Sequence, residues 1–430
     1  MPEASSLPPD DELLDSLVRQ SLDRHPDLAS MRAMVAAESS RAAMARSWMN
    51  PGLSLELMGV PNSFKFNADP ATAFEIGVMQ RIPFPGKLSR AGAAADARIN
   101  AAASDLESAR QEMAAMVAMN YYDLAALVRI DSLLTWGLAL TEEMARAAEA
   151  MVAGGMAAQS DIHRARLESE NWQLQIINNH NDTERARTVL SYAVGAQIDS
   201  PEARRYHLPE GFAGYESLPA TTPEAVDASP SVLSAIALLR AAEAAWERAR
   251  LDWFPDADLM LKYGLKPNLK VAGGIDPMTG AALSPGTVDQ RNMISAGATF
   301  TLPIFSRGNQ RAQIAEMQAM RDAAAARLAD ARLAKNRELQ EIEASWQKNR
   351  ERAGYIQANI VPRAEALYQT ALADYQSGKT PFMELAQARM SLVMAEMELT
   401  MSRAETWSFY ARWRAALGQL APTDRNKVNE

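Results

Sequence analysis

The sequence contains no cysteine, which excludes disulfides, thiolate metal ligands, cysteine nucleophiles and a lipid carried on an N-terminal cysteine. It has only four histidines, and their positions do not match the spacing of a metal site: His25, His163, His180 and His207. Neither a phosphate-binding loop nor a nucleophile elbow occurs. We therefore expect no catalytic site, no metal site and no cofactor.

Long apolar runs are also absent. No stretch of about 18 apolar residues occurs, so a transmembrane helix is not expected, although this test does not address membrane strands. Residues 1–11 are polar and proline-rich and lack the parts of a signal peptide, which fits a cytoplasmic protein or a mature chain without its export signal. The net charge of −9, without a basic block, argues against a nucleic-acid partner.

Two pairs of short segments have the alternation of β-strands. In the first segment, Leu53, Leu55 and Leu57 alternate with Ser54 and Glu56. The pattern predicts strands at about 53–60 and 72–82, and a second pair at about 257–264 and 293–302. Each strand has one apolar face and one face of small or polar residues.

The remaining segments are helical and unusually long. No proline occurs from Leu88 to Met151, and a continuous helix of about 60 residues would be roughly 90–100 Å long. A second long helix is predicted from Asn309 to Gln376. Helices of this length are typical of a coiled coil or a helical rod.

The order of these elements repeats along the chain. Pro83 and Gly155 recur as Pro303 and Gly378 at nearly the same offset, and the extra length of the second copy falls in its strand–strand loop. We interpret the chain as a single protomer made of two tandem repeats. Repeat one covers 12–196, an irregular connector 197–228, repeat two 229–418 and a tail 419–430.

Each repeat contains a tight turn between two helices. In repeat two the turn is Ser377-Gly378-Lys379, after which Thr380 is predicted as the N-cap and Pro381 as the first helical residue. Glu384 then lies in the first turn, where the helix dipole favours an acid. In repeat one the corresponding residues are Gly154-Gly155 and Asp161.

Four strands with an apolar face and open edges are an aggregation hazard in water. Their length matches a membrane barrel, but four strands are too few to close one. Three copies would supply twelve strands and six long hairpins. The alternative is a soluble β-layer capped by helices, which leaves the two long helices without a role.

The duplication, the junction Pro83-Phe84-Pro85-Gly86-Lys87 and the twin turns resemble the TolC-like outer membrane factors, the outer membrane efflux proteins of Gram-negative bacteria. The junction is most similar to the heavy-metal cation efflux (CzcC- and CusC-like) branch. The resemblance implies a mainly α fold with a small β part, in which a homotrimer forms a twelve-stranded transmembrane β-barrel and a helical periplasmic tunnel. The connector would lie at its equator.

By the same resemblance, the turns form the periplasmic tip. Glu384 matches the family's acidic constriction, Asp161 is its counterpart in repeat one, and Gln387 replaces a second acid that the family often has. A ring of carboxylates would favour cations, although Glu384 is equally explained as a dipole partner. The turn residues are expected to dock the adaptor, while also capping their helices: Gly154, Gly155, Ser377, Gly378 and Lys379.

The resemblance implies the exit duct of a tripartite efflux pump. Its partners would be a periplasmic adaptor (membrane fusion) protein, an inner membrane transporter of the resistance-nodulation-division type and outer membrane lipid. The cargo is expected to be a heavy-metal cation or, alternatively, a drug or organic solute. A periplasmic adaptor and a coiled-coil scaffold remain alternatives, although an adaptor usually has one hairpin rather than two.

Overall fold

The computed structural model describes residues 12–62, 64–155, 158–198, 206–212, 215, 217–275, 278, 281–300 and 307–421. The repeated junction expected from Pro303 to Gly308 falls mostly outside the described residues, as does the tail after residue 421. Helices account for 70% and strands for 11% of the structure, which confirms the prediction of a mainly helical protein with a small β part.

The described residues of the first half of the chain form four helices and two strands. They are α1 (Glu12–Arg24), α2 (Pro26–Arg46), β1 (Gly52–Met58), β2 (Ala73–Ile82), α3 (Lys87–Ala153) and α4 (Gln159–Val194). The helical segment from Glu12 to Arg46 is divided at His25, because Pro26 opens a new helix in which its missing N–H costs nothing.

The uninterrupted long helix predicted after the strands is confirmed. Helix α3 has 67 residues and is roughly 100 Å long at 1.5 Å per residue. Among the described residues, α3 contains a stretch that is long and apolar enough to cross a membrane, judged by length and composition alone. The sequence did not predict it, because charged or polar residues interrupt the apolar ones. Of that stretch, 44% is buried within the protein, and a single helix that passes this test is weak evidence for a membrane span.

In the second half, five helices and six strands are formed by the residues that the structure describes. They are α5 (Pro223–Asp227), α6 (Pro230–Leu251), β3 (Ala257–Leu265), β4 (Leu269–Val271), β5 (Gly274–Ile275), β6 (Ala282–Leu283), β7 (Gly286–Val288), β8 (Met293–Phe300), α7 (Arg307–Tyr355), α8 (Val361–Gln376) and α9 (Phe382–Ala416).

Three features of this half differ from the sequence prediction. The segment predicted as a loop after Gly264 contains two small hairpins, β4–β7 and β5–β6. The connector contains the short helix α5. A π-helical turn, Ile356–Ile360, separates α7 from α8, because Pro362 cannot donate a hydrogen bond and its ring displaces the preceding turn.

The four predicted strands form one antiparallel sheet in the order β1-β2-β3-β8. Strand β2 of the first half pairs with β3 of the second, so the sheet joins the two strand pairs. Its apolar face is exposed on every strand; Leu55 is 72% exposed and Ile294 74%. Within the described residues, β1 and β8 each have one unpaired edge.

The chain divides into two compact units, each built from both halves of the sequence. One unit comprises Met1–Ala36, Asn100–Ile236 and Arg327–Glu430, and its main core surrounds Tyr121, Tyr122 and Trp407. The other comprises Ala37–Ile99 and Ala237–Ala326 and contains the four-stranded sheet. The helical turns belong to the first unit.

Candidate functional site

The turn between α8 and α9 is fixed by the backbone. Gly378 has φ +73°, its N–H donates to the carbonyl of Tyr375 at 3.0 Å, and the Lys379 N–H donates to the carbonyl of Asp374 at 2.9 Å. This pair of bonds is the Schellman motif, which favours glycine at the left-handed position. The Lys379 ammonium lies 3.7 Å from the Asp374 carboxylate.

Helix α9 begins one residue later than predicted. Its N-cap is Pro381, without a side-chain cap, and its first residue is Phe382. The prediction of Thr380 as the N-cap is therefore wrong, because the extended backbone of Pro381, with ψ 158°, moves the Thr380 side chain away from the helix terminus. Glu384 remains in the first turn and is exposed, and the helix dipole stabilises its negative charge there.

At the end of α3, Gly155 has φ +72° and its N–H donates to the carbonyl of Val152 at 3.0 Å, as the Gly378 N–H does to Tyr375. Here the acid is a capping residue: the Ala158 N–H donates to the Asp161 carboxylate at 3.3 Å. Arg164 lies 3.9 Å from the other carboxylate oxygen. The Asp161 carboxylate therefore interacts with residues at the start of its own helix.

Tyr375 connects the two turns. Its hydroxyl donates to the sulfur of Met151 at 3.6 Å. Burial, followed by the negative charge of Asp161, raises the pKa of Tyr375. The structure therefore brings Asp161 close to Tyr375. Glu384 and Gln387 lie together on the exposed face of α9, and within the described part of the chain no ion pair holds Glu384.

Arg389 is a residue to which the sequence assigned no role. It lies on the buried face of α9, is 1% exposed, and no described residue accepts a hydrogen bond from its three guanidinium nitrogens. The guanidinium stacks against Trp136 of α3 and lies 5.2 Å from the ring centroid of Tyr368 in α8. Burial lowers the pKa of Arg389 to about 10, so the group is charged at neutral pH.

The junction before α3 has a structural role that its sequence did not reveal. The Lys87 ammonium donates to the Asp256 carboxylate at 2.9 Å and to the Phe254 carbonyl at 3.0 Å, and the rings of Phe84 and Phe254 stack at 4.5 Å. Burial raises the pKa of Asp256, but hydrogen bonds from the Phe84 N–H and from Lys87 outweigh it and lower the pKa overall. Partners this far away along the chain gave no signal in the sequence.

In the part of the chain that the structure describes, no group of three or more histidine, aspartate or glutamate side chains is arranged to hold a metal ion. Helix α9 has a stripe of methionines at helical spacing, Met390, Met394, Met397 and Met401. Met390 and Met397 pack against the core around Trp172, whereas Met394 is 52% exposed. The stripe is therefore a packing feature over only part of its length.

The long hairpins, the paired glycine turns and the exposed apolar sheet are together typical of a membrane-associated channel protein. The sequence model described as outer membrane efflux protein matches residues 17–196 and 222–419, so this chain belongs to the outer membrane efflux protein family. That family consists of channels that work in tripartite systems. No curated protein sequence matches the chain significantly.

Solved structures share the fold over nearly the whole chain. The chain is similar to CusC, described in connection with transmembrane channel formation, with TM-score 0.77 and 17% identity over 95% of this chain and 92% of CusC. It is similar to the CmeC outer membrane channel of Campylobacter jejuni (0.76, 16% identity, 98% and 88% covered). It is also similar to the open MtrE outer membrane channel of Neisseria gonorrhoeae (0.74, 18% identity, 94% and 88% covered).

Proposed function

We propose that this chain is the protomer of a homotrimeric exit duct in the outer membrane. The observation that supports this most strongly is the four-stranded sheet. Its apolar face is exposed on all four strands, and within the described residues its two outer strands have unpaired edges. A sheet of this kind is costly in water, but in a bilayer the apolar face contacts lipid and the edges pair with neighbouring copies.

Three protomers would join β1 of one copy to β8 of the next and close a twelve-stranded barrel. The long helices would then form a tunnel in the periplasm, and the protomer would consist of tandem repeats 12–196 and 229–418 around an equatorial connector. The partners would be a periplasmic adaptor and an inner membrane transporter of the resistance-nodulation-division type. Family membership supports this arrangement over an adaptor or a coiled-coil scaffold.

The experiment is extraction and reconstitution of the full chain. We expect the protein in the outer membrane fraction, a detergent-solubilised particle with the mass of three chains, and ion conductance in planar bilayers. A monomeric, water-soluble protein without membrane association would contradict the proposal. So would a trimer that does not conduct.

We also propose that Glu384 forms the constriction, with Asp161 and Gln387 beside it, and that the turn residues dock the adaptor. The exposed position of Glu384 in the first turn of α9 supports the first part. The absence of any described atom within 4 Å of a Cβ built on Gly155 or Gly378 supports the second, because a docking hairpin needs free space there. Disulfide cross-linking of a Lys379→Cys variant to cysteine variants of an adaptor hairpin tests the docking surface, with Lys270→Cys as the control position.

The cargo that we propose is a heavy-metal cation, on the basis of the Pro83 to Lys87 junction; an organic solute is the alternative. The structural relatives do not separate the two, since CusC, CmeC and MtrE all share the fold. Deletion of the gene in its native host tests the choice. Lowered tolerance of zinc or copper salts supports a metal cargo, whereas lowered tolerance of drugs alone supports the alternative.

A further inference from the structure

The polar face of the four-stranded sheet has five charged side chains over its described strands, and they form two separate groups. Arg81 of β2 and Asp258 of β3 face each other and make a two-pronged ion pair, with nitrogen–oxygen distances of 2.8 and 3.3 Å. This pair is neutral. The second group, which we call the lysine triad, consists of Glu56, Glu75 and Lys262, and has two acids for one base.

The lysine triad spans three strands. The Lys262 ammonium of β3 donates to the Glu56 carboxylate of β1 at 2.6 Å and lies 3.4 Å from the Glu75 carboxylate of β2. Neighbouring strands are about 4.8 Å apart, so Lys262 must cross the whole width of β2 to reach Glu56. Its side chain is 16% exposed as a result.

Gly77 makes this crossing possible. It belongs to β2 and lies opposite Lys262 of β3 on one side and Ser54 of β1 on the other. A Cβ at this position would lie 2.9 Å from the Cγ of Lys262 and 2.6 Å from the Ser54 hydroxyl, which is closer than van der Waals contact allows. The missing side chain therefore forms a notch through which the lysine passes.

We propose that the lysine triad sets the ion preference of the barrel interior, with Lys262 as the residue that limits its negative charge. The inference rests on the proposed function, because it requires the polar face to line water inside a barrel. The charges on the described strands of the four-stranded sheet then sum to one negative charge per protomer, all of it from the triad. Water-filled passages lined by one sign of charge concentrate the opposite ion, so the barrel favours cations, and it would favour them more without Lys262.

The absence of cysteine provides a direct test. Ser295 of β8 lies opposite Lys262 in the sheet and is exposed. A Ser295→Cys variant therefore places the only thiol of the chain beside the triad. The full chain is reconstituted in liposomes, and the thiol is reacted with a cationic (trimethylammonium-ethyl) or an anionic (sulfonatoethyl) methanethiosulfonate. The ratio of the two rates reports the local potential and does not depend on passage through the helical turns.

We expect Lys262→Met to raise the cation-to-anion rate ratio by about threefold or more, since the local negative charge doubles. Lys262→Arg should keep the original ratio, and Glu75→Gln should lower it. Lys270→Met, in β4 outside this sheet, is the matched control and should change nothing. If Lys262→Met does not insert, Glu56→Gln provides the test instead. The Glu56 side chain is 43% exposed, and its substitution should lower the cation-to-anion rate ratio, as Glu75→Gln should.

The outcomes distinguish failure of the ion-preference inference from failure of the proposed exit-duct function. If both reagents modify the introduced thiol at rates whose ratio is the same in all triad variants, the triad has no role in ion preference and the exit duct stands. If neither reagent modifies that thiol, the polar face does not line water, and the proposed barrel fails together with the inference. Reversal potentials in planar bilayers under a salt gradient give a second readout, in which Lys262→Met shifts towards cation selectivity.

Discussion

The two helical turns share a left-handed glycine but differ in the charges around it. Gly155 and Gly378 have φ values of +72° and +73°, and an acid lies in the first turn of the helix that follows each. In repeat one, the Asp161 carboxylate accepts a hydrogen bond from the Ala158 N–H and pairs with Arg164. In the second, Glu384 is exposed and within the described residues has no ionic partner.

Arg166 and Arg389, which follow the two acids along the chain, also differ in whether their charge is paired. Arg166 of α4 lies on the surface and pairs with Glu149 of α3 at 2.7 Å. Arg389 occupies the matching position in α9 but is buried between rings without a carboxylate among the described residues, because the residue matching Glu149 is Leu372. The backbone of the repeat has therefore been retained, while the second copy leaves one acid and one base unpaired within the described part of the chain.

The largest effect should come from the two acids. We expect Glu384→Ala to raise the single-channel conductance about two- to fivefold and to weaken block by trivalent cations, because in the proposed constriction the substitution would remove a ring of charge from a narrow passage. Asp161→Ala should change conductance less, since that carboxylate already interacts with its own helix. Equal changes in conductance for the two variants in planar bilayers would show that the turns do not differ in function.

The glycines should behave alike, unlike the acids. Gly155→Ala and Gly378→Ala should each lower the free energy of unfolding by about 1–2 kcal/mol, the cost of a left-handed backbone for an L-residue. Neither new methyl group meets a described atom within 4 Å, so no steric term separates the two variants. Thermal unfolding in detergent, followed by circular dichroism, measures both. A much larger loss in one variant would show that its turn has a contact that the other lacks.

The arginines should have effects of opposite sign. Arg389→Met should raise the free energy of unfolding by about 1 kcal/mol or more, because it replaces a buried, unpaired charge with an apolar chain of similar length. Arg166→Met should lower it by at most about 1 kcal/mol, as expected for an exposed ion pair. The same unfolding assay compares them. Strong destabilisation by Arg389→Met would mean that the contacts with Trp136 and Tyr368 outweigh the cost of burying the charge.

The sequence predicted the long elements well, because their signals are local. The absence of proline after Leu88 predicted α3, and the alternation around Leu55 and Ile294 predicted strands that the structure forms at nearly the same positions. The same alternation requires the four apolar faces to lie on one side of a shared sheet, but it did not indicate that β2 pairs with β3.

What the sequence could not predict depends on distant partners. Nothing near Lys87 indicates that it contacts Asp256, and nothing near Arg389 indicates that it is buried against Trp136. The N-cap of α9 was placed at Thr380 instead of Pro381 for a local reason. Proline is accommodated both at the N-cap and at the first helical position, and the choice between them depends on the turn before it. Whether Glu384, Asp161 and Gln387 meet in a constriction stays a prediction, because it depends on other copies of the chain.

The notch at Gly77 has an evolutionary consequence. A relative that gains a side chain at position 77 must withdraw the long side chain at position 262, and a relative that shortens residue 262 no longer needs glycine at 77. The two positions, although far apart in the chain, are therefore expected to vary as a pair across the family. Lysine or arginine at 262 should occur with glycine at 77, and the acid at 56 should disappear when that pair is lost.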